Sequence, residues 1–77
     1  MDFKTWIIDK QRRKDGTFRD SRFGDLAQDI SADRTFPENA DRDRIECHLR
    51  VKGACRQCLE TFRDAWRKYR KECKGDA

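Results

Sequence analysis

Cys55-Arg56-Gln57-Cys58 has the clearest chemical potential in this chain, as a C-x-x-C. With Cys47, His48 and Cys73 it offers thiolate and imidazole, the donors that tetrahedral zinc takes at about 2.0–2.3 Å. Zinc knuckles, however, present paired cysteines in a tight turn, and the chain has no second C-x-x-C. Both cysteines fall on the apolar stripe of a predicted helix, where cysteine acts as a small hydrophobe. They therefore read as core filler, and no metal or cofactor is expected. A thioredoxin-type dithiol would need a βαβ frame that the pattern does not provide. His48 is the only histidine. Catalysis would need a nucleophile or carboxylate held beside it in a cleft, and it reads as a half-buried packing residue. Asp25 and Asp29, one helical turn apart, read as a solvated acidic face. There is no phosphate loop and no nucleophile elbow. The expectation is no enzyme and no small-molecule substrate.

Charge says more. The 77 residues hold 19 Lys and Arg against 15 Asp and Glu, a net charge of +4. The excess is not uniform. Lys10–Arg22 carries six bases and two acids, and so does Arg63–Lys74. The stretch between them has six bases and eight acids. If the first and last helices pack side by side, the two segments join into one basic surface. Such a surface contacts phosphates and releases counterions. The candidate contacts are Arg12, Arg13, Lys14, Arg19 and Arg22 from the first segment. From the second they are Arg63, Arg67, Lys68, Arg70 and Lys71. Asp15, Asp20, Asp64 and Glu72 interrupt both runs, so neither is a polybasic arm.

The elements that must position these groups follow from periodicity. Charged residues make up 44% and hydrophobic ones 35%, so the chain can build only one small core. No stretch approaches the roughly 18 apolar residues of a membrane span, and no apolar run follows Met1-Asp2-Phe3-Lys4 to make an export signal. With that start, four cysteines are expected as free thiols in the cytoplasm. A first helix is predicted from an Asp2 cap to about Arg13, with Phe3, Trp6, Ile7 and Lys10 on one face. A second starts at Asp20 or Ser21 and carries Phe23, Leu26, Ala27 and Ile30, with Gly24 placed for close packing. Phe36-Pro37 breaks the chain and plugs the core. A third runs from an Asp41 cap to about Val51, with Ile45, His48 and Leu49 inward and Gly53 just past its end. The last is predicted from about Ala54 to Cys73, roughly 30 Å long, with the stripe Cys55, Cys58, Leu59, Phe62, Ala65, Trp66, Tyr69, Cys73. Lys74–Ala77 reads as a fraying tail. The result is one all-α domain over residues 1–77, a compact four-helix bundle with its core at about 3–73 and a long C-terminal helix.

The order of Phe3-x-x-Trp6-Ile7-Ile8, Phe23-Gly24-Asp25-Leu26-Ala27, Asp33-Arg34-Thr35-Phe36-Pro37, Ile45-x-x-His48-Leu49 and Phe62-x-x-Ala65-Trp66-x-x-Tyr69 resembles the small YozE-like family. The likeness covers about residues 3–69 and implies a SAM-like (sterile-alpha-motif-like) helical fold. That fold serves protein association in some proteins and nucleic-acid binding in others, so it implies no activity. Cysteine at 55 and 58 departs from the family pattern.

Two functions are therefore expected. The first is a non-enzymatic module binding nucleic-acid phosphates, with little base specificity. The alternative is a protein-interaction adaptor. In that reading the acidic set Asp25, Asp29, Glu38, Asp41 and Asp43 meets the basic last helix of another copy, or the domain binds a foreign protein, as for a mobile element. Thirteen large apolar and aromatic residues from Phe3 to Tyr69 are expected to form one cluster, and Trp66→Ala to destabilise it by about 3–5 kcal/mol.

Overall fold

Helix starts in this chain are set by short side chains that accept hydrogen bonds. The computed structural model describes residues 1–74, and the rest of the expected tail, 75–77, lies outside the described residues. The first helix, α1 (Phe3–Gln11), begins at Asp2, whose Oδ1 accepts from the Thr5 amide at 3.0 Å. The other carboxylate oxygen of Asp2 accepts from the Asn39 amide at 3.1 Å, so this cap also holds the connection ahead of the third helix. Ser21 starts α2 (Arg22–Ala32), accepting from the Gly24 amide, and Asp41 starts α3 (Arg42–Val51), accepting from the Arg44 amide. Gly53 then turns the chain with φ +86°, the left-handed position that glycine takes most easily.

The fourth helix, α4, spans Arg56–Tyr69, about 21 Å by its 14 residues. It starts later than the spacing predicts. Cys55 is its N-cap rather than a helical residue, and makes no side-chain cap bond. Arg70–Lys74 continue it as a π-helical turn. That wider turn changes which residues face α1. Glu72 meets Trp6 and Lys10 there, while Cys73 is exposed. Cys55 is exposed too, and only Cys58 of the three expected inward cysteines packs against the core.

The core itself forms as the stripes require. Phe3, Trp6, Ile7, Leu26, Ala27, Ile30, Phe36, Ile45, Leu49, Phe62 and Ala65 are buried in one cluster. Phe23, Leu59, Trp66 and Tyr69 pack against it while partly exposed. Phe3 sits between the rings of Phe62 and Tyr69 at centroid distances of 5.3 and 5.6 Å, both edge-on, as aromatic quadrupoles prefer. Helix α4 touches α1, α2 and α3, and so is the spine of the bundle. Lys10 of the predicted stripe is exposed and reaches Glu72 instead of the core. Thr61, buried on α4, is a core position that apolar spacing passes over. No helix is long and apolar enough to cross a membrane among the described residues.

Candidate nucleic-acid interface

The first basic segment leaves α1 as a small hairpin. The Arg13 amide donates to the Thr17 carbonyl at 2.7 Å and the Arg19 amide to the Gln11 carbonyl at 2.8 Å. Arg12 and Phe18 face each other in an isolated antiparallel bridge, and the Arg12 guanidinium lies 5.4 Å from the Phe18 ring centroid. Asp15 accepts from both the amide and the hydroxyl of Thr17, which closes the turn around Lys14. The chain then enters α2 through a close contact. A Cβ at Gly24 would lie 1.8 Å from the Arg19 carbonyl oxygen. Arg19 and Arg22 are thereby brought to the N-terminal edge of α2.

Two ion pairs clamp this segment to the second one. At one end Lys10 Nζ lies 2.8 Å from Glu72, whose Oε1 also accepts from the Trp6 indole at 3.3 Å. At the other end an Arg22 nitrogen lies 2.9 Å from Asp64. Lys10 holds the Glu72 carboxyl below its ordinary range, and Arg22, with Arg67, does the same for Asp64. Both acids inside the second basic segment are thus neutralised by cations, two of which come from the first. Phe23 makes a third tie. The Arg22 guanidinium is 4.8 Å and Lys68 Nζ 5.7 Å from its ring centroid, distances at which the ring attracts cations.

The ten candidate residues are therefore not equivalent. Arg22, Arg67, Lys68 and Lys71 line one shallow hollow with Phe23 and Asp64. Arg12, Arg13, Lys14 and Arg19 are exposed on the hairpin, Arg12 lining a separate hollow with Asp2, Lys4 and Glu38, and Arg70 is exposed on the π turn. Arg12, Arg13, Lys14, Arg19, Lys68, Arg70 and Lys71 form no ion pair among the described residues. Arg63 stands apart. It donates to both carboxylate oxygens of Glu46 on α3, at 3.2 and 3.0 Å, in the bidentate geometry that makes such pairs strong. Glu46, only 15% exposed, also meets Arg42 and Arg50, and Arg63 chiefly holds its carboxyl down at about 2.

The acidic set is dispersed by its own bonds. Asp41 caps α3, Glu38 pairs with Lys4, and Asp43 pairs with Arg42. Asp25 and Asp29 are exposed on α2. Asp33, quoted above only as part of the Asp33-Arg34-Thr35-Phe36-Pro37 motif, joins the α2–α3 connection to α3. It accepts from the Thr35 amide and hydroxyl at 2.9 and 2.7 Å, and its Oδ2 lies 2.7 Å from His48 Nε2. That contact with His48 is the main reason its carboxyl is strongly acidic. The only sequence signal was Asp33-x-Thr35, the spacing of an Asx turn. His48 is half-buried and meets Phe36 edge-on at 5.5 Å. All four cysteines are free thiols, and no group of three or more His, Cys, Asp and Glu able to hold a metal converges among the described residues.

The family model described as YozE SAM-like fold matches residues 5–71 of the chain. No curated protein and no solved structure matches it.

Proposed function

The chain belongs to the YozE SAM-like family, and from that scaffold we propose that it is a non-enzymatic, cytoplasmic module that binds nucleic-acid phosphates. One observation carries this reading. Lys10–Glu72 and Arg22–Asp64 tie both ends of the first basic segment to the second, so that cations with no ion pair among the described residues stand on both of the joined segments. The hairpin supplies Arg12, Arg13, Lys14 and Arg19, and α4 with its π turn supplies Lys68, Arg70 and Lys71. Lys and Arg in such an arrangement displace condensed counterions, which makes binding steeply salt-dependent. Nothing in the sequence marks a base-reading helix, so contacts to phosphate should dominate and sequence preference should be weak.

The test is a fluorescence anisotropy titration with duplex DNA, single-stranded DNA and RNA at several salt concentrations. The expected result is a linear fall of log K with log salt, with a slope of about −0.9 per phosphate neutralised on duplex. Lys68→Glu with Lys71→Glu should weaken binding and flatten the slope. Arg63→Gln should leave both unchanged, because Arg63 serves Glu46. Millimolar or absent binding to all three ligands at low salt refutes the reading. If light scattering then shows salt-sensitive self-association, the head-to-tail adaptor takes its place.

A further inference from the structure

The C-x-x-C has a different setting from the one its periodicity suggests. Cys55 is the exposed N-cap of α4 and Cys58, three residues on, is half-buried in the first turn. Both side chains open on one hollow, which Arg22, Asp25 and Gln57 also line. Residues three apart in a helical turn have Cα atoms about 5 Å apart, inside the roughly 4.4–6.8 Å range that a disulfide spans. The cap position carries no side-chain hydrogen bond, unlike the caps of α1, α2 and α3. Burial pushes the Cys58 thiol up, with Cys55 adding to the effect. An exposed sulfur at a helix start with a sheltered sulfur one turn inside is the division of labour of an attacking and a resolving thiol.

We propose that Cys55 and Cys58 are a reversible dithiol–disulfide pair whose oxidant is a small-molecule disulfide of the glutathione class. The Cys55 thiolate attacks one sulfur of the oxidant, forming a mixed disulfide and expelling one thiolate, which takes up a proton. The Cys58 thiolate then attacks the Cys55 sulfur, closes the Cys55–Cys58 bond and expels the second thiolate, which is protonated in turn. Two protein thiols are oxidised and one disulfide is reduced to two thiols. Cys47, on α3, and Cys73, on the π turn, are exposed cysteines that share neither this hollow nor a vicinal partner. The pair stands independently of nucleic-acid binding.

The experiment incubates the native protein with mixtures of reduced and oxidised glutathione, quenches with acid, and maps every cysteine by peptide mass. The expected outcome is a 55–58 bridge that loses two hydrogens and reopens under reduced glutathione, while Cys47 and Cys73 carry only mixed disulfides. Closure should quicken as pH rises towards the Cys58 thiol's range. In Cys58→Ser, Cys55 should accumulate the glutathione adduct instead of resolving it. Circular dichroism on each variant confirms that the helices persist. Stable separate adducts on Cys55 and Cys58 in the parent, a bridge from either one to Cys47 or Cys73, or a 55–58 bridge that forms only in denaturant would each overturn the proposal.

Discussion

Gly24 shows how one missing methyl group sets the path of the chain. Alanine in a helix interior normally stabilises by about 1 kcal/mol over glycine. Here its Cβ would meet the Arg19 carbonyl at 1.8 Å and the carbonyl carbon at 2.7 Å, both backbone atoms that cannot rotate away. The hairpin entry would have to shift, and overpacking of this kind destabilises by about 1–3 kcal/mol. Gly24→Ala should therefore lower the urea midpoint, and a midpoint equal to or above the parent's would show that the close approach is not real. Glu46 makes a separate prediction. Its carboxyl is lowered from 4.5 to about 2, chiefly by Arg63, so it binds protons less readily folded than unfolded. Its stabilisation is complete above pH 4.5 and disappears as pH falls through about 2. Glu46→Gln should thus be most destabilised relative to the parent at neutral pH, with the two denaturation midpoints converging towards pH 2. A gap that stays constant over that range would mean that the Arg63–Glu46 pair does not couple folding to protons.

The four helices differ most at their starts. Asp2, Ser21 and Asp41 accept from first-turn amides, but Cys55 does not. Losing a good cap destabilises by about 1 kcal/mol, so installing one at α4 should give a gain of similar size. Cys55→Ser is expected to raise stability by about 0.5–1 kcal/mol in chemical denaturation under reducing conditions. A neutral or negative change would mean that the first turn of α4 is already satisfied or frayed. This contrast also marks what the sequence makes legible. Asp and Ser announce their helices because their side chains do the capping, and alternation of three and four residues places Phe62 and Ala65 inward without further information. Cysteine announces nothing, so apolar spacing starts the helix two residues early and puts Cys55 on a stripe it does not join. The π turn has no local signature either, and it brings Glu72 rather than Cys73 against α1. In the basic surface, clustering of charge along the chain was readable. The diversion of Arg63 to Glu46 was not, because residues 63 and 67 share a helix side and only tertiary packing decides which neighbour each meets.

Over the whole molecule, stability rests on few side chains. Phe3 and Phe62 are 1% and 0% exposed and pack ring against ring, while Trp66 is only partly covered. Phe62→Ala should therefore destabilise by about 3–5 kcal/mol, enough to unfold most of a domain whose total stability is near 5 kcal/mol. Trp66→Ala should be milder than the sequence alone suggested. Equal melting curves for the parent and Phe62→Ala would mean that the core is not centred on α4. The same aromatic cluster also makes the protein report on itself. Its single tyrosine, Tyr69, has its ring centroid 5.0 Å from that of Trp66 and 5.5 Å from that of Trp6, the only two tryptophans in the chain. Light absorbed by the phenol at such separations passes to the indoles before it can be emitted. The native protein should fluoresce as a tryptophan protein alone, and in Trp66→Phe, where Trp6 on α1 is the remaining acceptor, a tyrosine shoulder should emerge as α4 leaves α1, giving an unlabelled optical signal for the joining of the two ends of the chain.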